Sequence, residues 1–218
     1  MKKFLLVAAS LSLFGGIQNV HAEPAESKAE IVEPLMAEHY TFDKSHTQIL
    51  FFVDHLGFSK SQGEFHDYDG YFIFDRAHPE NSMIDVTIKT ESIDMDSDKW
   101  DDHMKSPDFF NVEQFPDMTF KSTAIEITGE KTAKITGDLK LLGVIKPVVM
   151  QTTYNKSDKH PFSGKFVSGF SASATIKRSD FGMNYGLPGV GDEVNIMIEV
   201  EGYRTEPEEA PAEEPAAE

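Results

Sequence analysis

Ile84, Val86 and Ile88 alternate with Asp85, Thr87 and Lys89, and this two-residue rhythm recurs along most of the chain. Successive side chains of a strand point to opposite faces, so each such run predicts a β-strand with one apolar and one polar face. The same rhythm groups Ile49, Phe51, Val53 and His55, then Phe72 with Phe74, Met118 with Phe120, and Ile125 with Ile127. Leu139 with Leu141, Val148 with Met150, the set Phe170, Ala172, Ala174 and Ile176, and finally Val194, Ile196, Ile198 and Val200 complete the series. Gly57, Gly70, Gly129, Gly143 and Gly164 punctuate these runs as turn residues.

About eight amphipathic strands joined mainly by short connections predict an all-β domain built on an antiparallel sheet with a single inner face. Closing that sheet into a barrel removes both edges; a two-sheet sandwich is the rival architecture. A barrel of about eight strands either fills with side chains or holds one small ligand. Ala172 and Ala174 leave space on an inward face, while Phe51, Phe65, Phe72 and Phe74 are large enough to occupy it, so the residues themselves leave both outcomes open.

One stretch breaks the rhythm. Asp94 to Phe110 is dense in Asp and lacks alternation, which predicts a short helical insertion over about residues 97–110. Ser97 is placed to cap a helix through Met104, with Asp98, Asp101 and Asp102 near its positive end, and Ser106-Pro107 reads as a second cap with Pro at the first helical position. Such a plug would bring Trp100, Phe109 and Phe110 over one end of the strands.

The termini differ in kind from this core. Met1-Lys2-Lys3, an apolar run from Phe4 to Leu13 and the small residues of Val20-His21-Ala22 predict a secretory signal, residues 1–22, cut after Ala22. Its apolar core is shorter than the roughly 20 residues that span a bilayer, so no stable membrane insertion is expected. Residues 23–38 and 205–218 are rich in Glu, Pro and Ala and are expected to be a disordered linker and tail around a domain at 39–204. The absence of cysteine excludes disulfides and a lipid-acylated cysteine. A formal charge of −17, which loss of Lys2 and Lys3 makes more negative, argues against nucleic acid as a partner.

No motif carries catalysis or metal. Asp94-x-Asp96-x-Asp98 opens like a calcium loop but has Lys99 where Gly is needed and Lys105 where Glu is needed. The histidines show no HExxH spacing, and no Ser, His and Asp set stands at motif spacing. Asp101 and His103, two apart on a helix, do not share a face. The expectation is no enzyme, no metal and no catalytic residue.

Longer motifs point to a family. Tyr40-x-Phe-Asp43-x-x-His46, Val53-x-His55-x-Gly57, Gly63-x-Phe65, Asp69-Gly70 and Asp101-x-His103 stand in order. Ser106-x-x-Phe109, Phe115-Pro116, Gly137-Asp-Leu-x-Leu-x-Gly143-Val-x-Lys-Pro147-Val and Ile176-x-Arg178-x-Asp-Phe-Gly182 follow them. Together they resemble the YceI-like family of bacterial exported proteins across residues 40–203. The resemblance implies an extended eight-stranded lipocalin-like β-barrel in the periplasm. It would hold a polyisoprenoid or a quinone-like lipid in a long central pocket, with no catalysis and no cofactor beyond that bound polyprenyl chain or ubiquinone-like molecule. Trp100 stands where the family often has Arg, which removes a positive charge from the plug and favours a neutral or weakly polar headgroup. On this basis Ile49, Phe51, Val53, Phe65, Phe72, Phe74, Ile84, Val86 and Ile88 are expected to line the chain's path. His55, His103 and Arg178 are expected at a polar mouth, with an ion pair to Asp180 or a plug carboxylate as the other role for Arg178. A homodimer covering an apolar mouth is a further expectation. The contrasting possibility is a filled barrel that serves as a stress-related interaction or metal-binding module.

Overall fold

The computed structural model describes residues 37–205. The expected signal peptide, nearly all of the linker and the acidic tail lie outside the described residues.

The alternating runs form strand segments β1 (Glu38–Phe42), β2 (Gln48–His55), β3 (Ser59–Phe65), β4 (Tyr68–Phe74), β5 (Met83–Lys89) and β6 (Ile93–Asp94). Among the described residues a single α-helix, α1 (Asp98–Lys105), leads to β7 (Asp117–Ile127), β8 (Thr132–Leu141), β9 (Val144–Lys159), β10 (Phe166–Lys177) and β11 (Val190–Thr205). Every pairing is antiparallel, and the ring closes because β11 pairs with β1 at its C-terminal end and with β2 along its N-terminal half. Three neighbouring staves are each interrupted once, β1/β2 at Asp43–Thr47, β3/β4 at His66–Asp67 and β5/β6 at Thr90–Ser92. Counting each interrupted pair as one stave, the architecture is a closed eight-stranded antiparallel barrel, as expected.

The three interruptions lie side by side and form a crease across one wall. Backbone groups released from the ladder there are paired again, as buried groups must be. Asp43 N donates to Glu201 O (2.8 Å), His66 N to Ser92 O (3.2 Å), and Thr90 N to Pro116 O (2.9 Å). The fully buried Tyr68 sends its hydroxyl to Thr47 O (2.8 Å) and Thr90 sends its own to Phe115 O (2.7 Å). On the solvent side of the crease, Lys44 Nζ bridges Asp69 (2.7 Å) and Asp67 (3.3 Å).

Register carries the alternation of single strands into rows around the barrel. Ala172 faces Ile198, Ile198 faces Ile49, Ile49 faces Phe65, and Phe65 faces Ile93. The next row joins Ala174, Ile196, Phe51 and Gly63. Gly63 leaves the Phe51 ring room to lie flat on the wall, since a Cβ at this position would collide with that ring and with the Met95 sulfur.

α1 matches the expected insertion with two corrections. Ser97 occupies the N-cap position, but its side chain makes no capping bond; its carbonyl instead accepts from Trp100 N (2.8 Å) and Asp101 N (2.9 Å). Ser106-Pro107 opens a turn rather than a second helix, because the Ser106 hydroxyl donates back to His103 O (2.6 Å). Met104, Phe109 and Phe110 are buried beneath this segment, whereas Trp100 remains half exposed.

Candidate functional site

A cavity of about 740 Å³ occupies the barrel interior and extends from α1 to the opposite end, where the β4–β5 loop and the β7–β8 turn contribute Arg76, Pro79, Ser82 and residues 129–132. The interior is therefore not filled by its large side chains. All nine apolar candidates line the cavity. Ile49, Phe51, Phe65, Phe72 and Ile88 are buried, and Val53, Phe74, Ile84 and Val86 are partly exposed to the lumen. Met118, Phe120, Ile135, Leu139, Val148 and Met150 complete the middle of the wall. Most of these carried the same alternation signal and were legible as inward positions.

Aromatic clusters mark both ends. Near α1, Phe65 meets Phe51 (5.9 Å between centroids) and Phe110 (5.4 Å, edge to face), and His103 packs against Phe109 (5.0 Å) and Tyr185 (5.1 Å). At the far end, Phe170 meets Phe72 (5.5 Å), Phe74 (5.2 Å) and Tyr154 (5.5 Å).

His55, His103 and Arg178 all border the cavity at the α1 end, but their polar groups are differently engaged. Arg178 is 3% exposed and donates to four backbone carbonyls: Gly191 (2.7 Å), Met183 (3.0 Å), Tyr185 (2.9 Å) and Val190 (2.9 Å). No ion pair of Arg178 with Asp180 or a plug carboxylate forms among the described residues. The guanidinium instead ties down the 178–191 loop over this end, helped by Ser179 N (2.9 Å) and Oγ (2.8 Å) donating to Asp192. Burial lowers the Arg178 pKa, with Asp192 partly opposing. His103 Nε2 lies 3.1 Å from Asp108 and its ring stacks on Trp100 at 6.0 Å. Asp101 is not drawn to His103, because its Oδ1 accepts from Met95 N (2.7 Å).

The far end carries polar groups not singled out from the sequence. Glu38 accepts from the Tyr40 hydroxyl (2.5 Å) and Arg204 Nη1 (2.6 Å), and Arg76 Nε lies 3.2 Å from its second oxygen. Burial works to raise the Glu38 carboxyl, but these partners outweigh it and hold the group below its ordinary range. Arg76 and Arg204 both pack on the Phe166 ring, at 4.7 and 4.5 Å from its centroid. Tyr154 had a signal in the sequence, since it continues the phase of Val148, Met150 and Thr152. Arg76 sits in a loop and had none.

At the crease, Asp43, His46 and Glu201 bring three potential metal-ligand atoms within 4.8 Å of one another. Asp43 is already engaged by Ser45 N (3.0 Å), Ser45 Oγ (2.6 Å) and His46 Nδ1 (2.7 Å), which is the bonding of a turn-holding carboxylate.

A closed up-and-down barrel around one elongated apolar lumen defines a lipocalin-like class of protein. Within that class the YceI-like domain matches residues 40–202, and the chain belongs to the YceI-like family. It is 39% identical over 190 residues to a UPF0312 protein of Ectopseudomonas mendocina, covering 86% of this chain and 99% of that one. A Campylobacter jejuni YceI protein of known crystal structure is similar with a TM-score of 0.63 and 35% identity, over 70% of this chain and 90% of the other. A polyisoprenoid binding domain from Saccharophagus degradans shares the fold with a TM-score of 0.60 at 12% identity, over 78% of this chain and all of that domain.

Proposed function

We propose that the protein is a periplasmic lipid-binding protein that holds a polyisoprenoid or the prenyl tail of a quinone-like molecule in its lumen, as carrier, store or sensor. The observation that carries this reading is the 740 Å³ apolar cavity running along the barrel. At the roughly 30 Å³ that a water occupies in the liquid, a value close to that of a chain carbon, this is room for on the order of twenty carbons. Burial at about 0.8 kcal/mol per methylene then supplies ample gross free energy against the cost of immobilising the chain. The polyisoprenoid binding domain of the same fold supports the ligand class, and the leader predicted at residues 1–22 supports the compartment. Binding rather than catalysis fits a site whose wall is almost wholly hydrocarbon, with its one Asp and His candidate pair split apart. Among the described residues no helix is long and apolar enough to cross a membrane.

Native mass spectrometry of the protein purified from its own cells, followed by organic extraction, tests the reading. A stoichiometric prenyl compound is expected. An empty protein that gains no thermal stability from added prenyl lipids would refute it.

A further inference from the structure

Lipid binding as proposed above does not say which way the ligand points, and the two ends of the lumen differ in what they offer a polar head. At the α1 end the charged groups are spent: Arg178 donates to four carbonyls and His103 faces Asp108. At the far end they are not. Arg76 borders the cavity, yet its buried Nη2 has no hydrogen-bond partner among the described residues. Its Nε makes an ion contact with Glu38 at 3.2 Å but in a geometry that forms no hydrogen bond. Glu38 is meanwhile shared with Arg204 and the Tyr40 hydroxyl, so one carboxylate faces two guanidiniums.

A second orphan lies in the same region of the wall. The Thr152 hydroxyl is buried against the cavity without a partner, on β9 two residues before Tyr154 and so on the same face. Buried donors without acceptors are uncommon and costly, and a site that gathers two of them, one on a guanidinium, suits a ligand that brings oxygen acceptors.

We propose that the Arg76 end of the lumen, with Thr152 and Tyr154, is the head-group subsite, and that the ligand is an apolar chain ending in an oxygen acceptor, a carboxylate being the closest match to the spare guanidinium. The chain then runs toward α1, where Phe65 and Phe110 close the lumen on hydrocarbon. This rests on the lipid-binding reading and adds to it an orientation and a head chemistry. It also relocates the polar contact from the plug, where Trp100 had removed a charge, to a loop at the opposite end.

The test measures binding of three probes of equal chain length: a prenyl carboxylate, a prenyl quinone and the headless hydrocarbon. The wild-type protein is expected to prefer the carboxylate over the headless chain by about tenfold or more, as a charged hydrogen bond in a dry site provides. Arg76→Met is expected to abolish that preference, bringing the carboxylate-to-headless ratio to about one; Glu38 retains Arg204 and Tyr40 as partners. Thr152→Val, which leaves the ion cluster intact, is expected to reduce the preference partially and gives a readout if Arg76→Met folds poorly. A preference for the quinone that Arg76→Met removes upholds the subsite with a neutral carbonyl head. A carboxylate-to-headless ratio that is unchanged in both variants overturns the subsite while lipid binding stands. Failure of wild type to bind any of the three overturns lipid binding and the subsite with it.

Discussion

Ala174→Phe blocks the lumen without touching the ladders that hold it. Ala174 sits on the inner face of β10 opposite Ile196 of β11 and borders the cavity midway along the barrel. The added ring enters space that no protein atom occupies, and it displaces about four methylene groups of a bound chain. At about 0.8 kcal/mol each this costs about 3 kcal/mol, a loss of affinity on the order of 100- to 200-fold. The fold itself should hold. Overpacking a filled core costs about 1–3 kcal/mol, whereas filling a void leaves the free energy of unfolding equal or higher. Displacement of a fluorescent prenyl probe reads the affinity, and urea denaturation reads the stability. Ser173→Phe is the control, one residue earlier and exposed on the outer face, and should change neither. Undiminished binding by a folded Ala174→Phe protein would show that the chain does not occupy the lumen, and a marked fall in apo stability would show that the void is not open.

Two other outcomes follow from polar groups that hold the wall. Arg178→Met strands four carbonyls of the 178–191 loop, and at about 1–3 kcal/mol for each acceptor left dry, a loss of about 4 kcal/mol or more is expected in denaturant titration; a loss below about 1 kcal/mol would mean that the loop is held otherwise. Burial works to raise the Asp43 carboxyl, but bonds from Ser45, His46 and Tyr203 outweigh it and hold the group well below its ordinary value of 3.8. Its folded pKa being depressed, Asp43 contributes stability that is whole above about pH 4 and is lost as pH falls toward the folded value. Its partner His46 is raised by that same carboxylate, so its contribution is whole below about 6.5 and fades as pH rises through its folded value. Asp43→Asn should flatten the stability profile on both sides, and a profile identical to wild type would refute the assignment.

The inner wall was legible in the sequence because burial on one side only imprints a period of two, as Ile49 to His55 and Val194 to Val200 display. Where burial and side-chain character part company, the pattern fades. β3 carries Ser61 and Gly63 on its inner face, since Phe51 from the next strand covers it, and it does not read as an apolar run. β7 reads as two runs because a bulge between Ser122 and Ala124 shifts its phase. The partners of Arg178 are carbonyls, which every residue has and no sequence advertises. Glu38 and Arg204 lie 166 positions apart and meet only because β1 closes on β11, so the polar end of the lumen emerges from closure of the ring.

The crease also resets a count. Tyr40 and Phe42 are inner residues at even positions, but beyond Thr47 the inner residues are Ile49, Phe51 and Val53, all odd. Phe65 gives way to Phe72 and Phe74 in the same manner, and Ile84, Val86 and Ile88 to Ile93. Within a continuous strand, one inserted or deleted residue turns everything beyond it inside out. At the crease each half is held in phase by its own neighbours, so a change of length there alters the hinge and leaves the lining on both sides where it was. Along these three staves the wall is two short panels with independent numbering, and the connecting segments can vary in length at the joint without rewriting the lining, while the unbroken β8 to β11 keep the barrel's height.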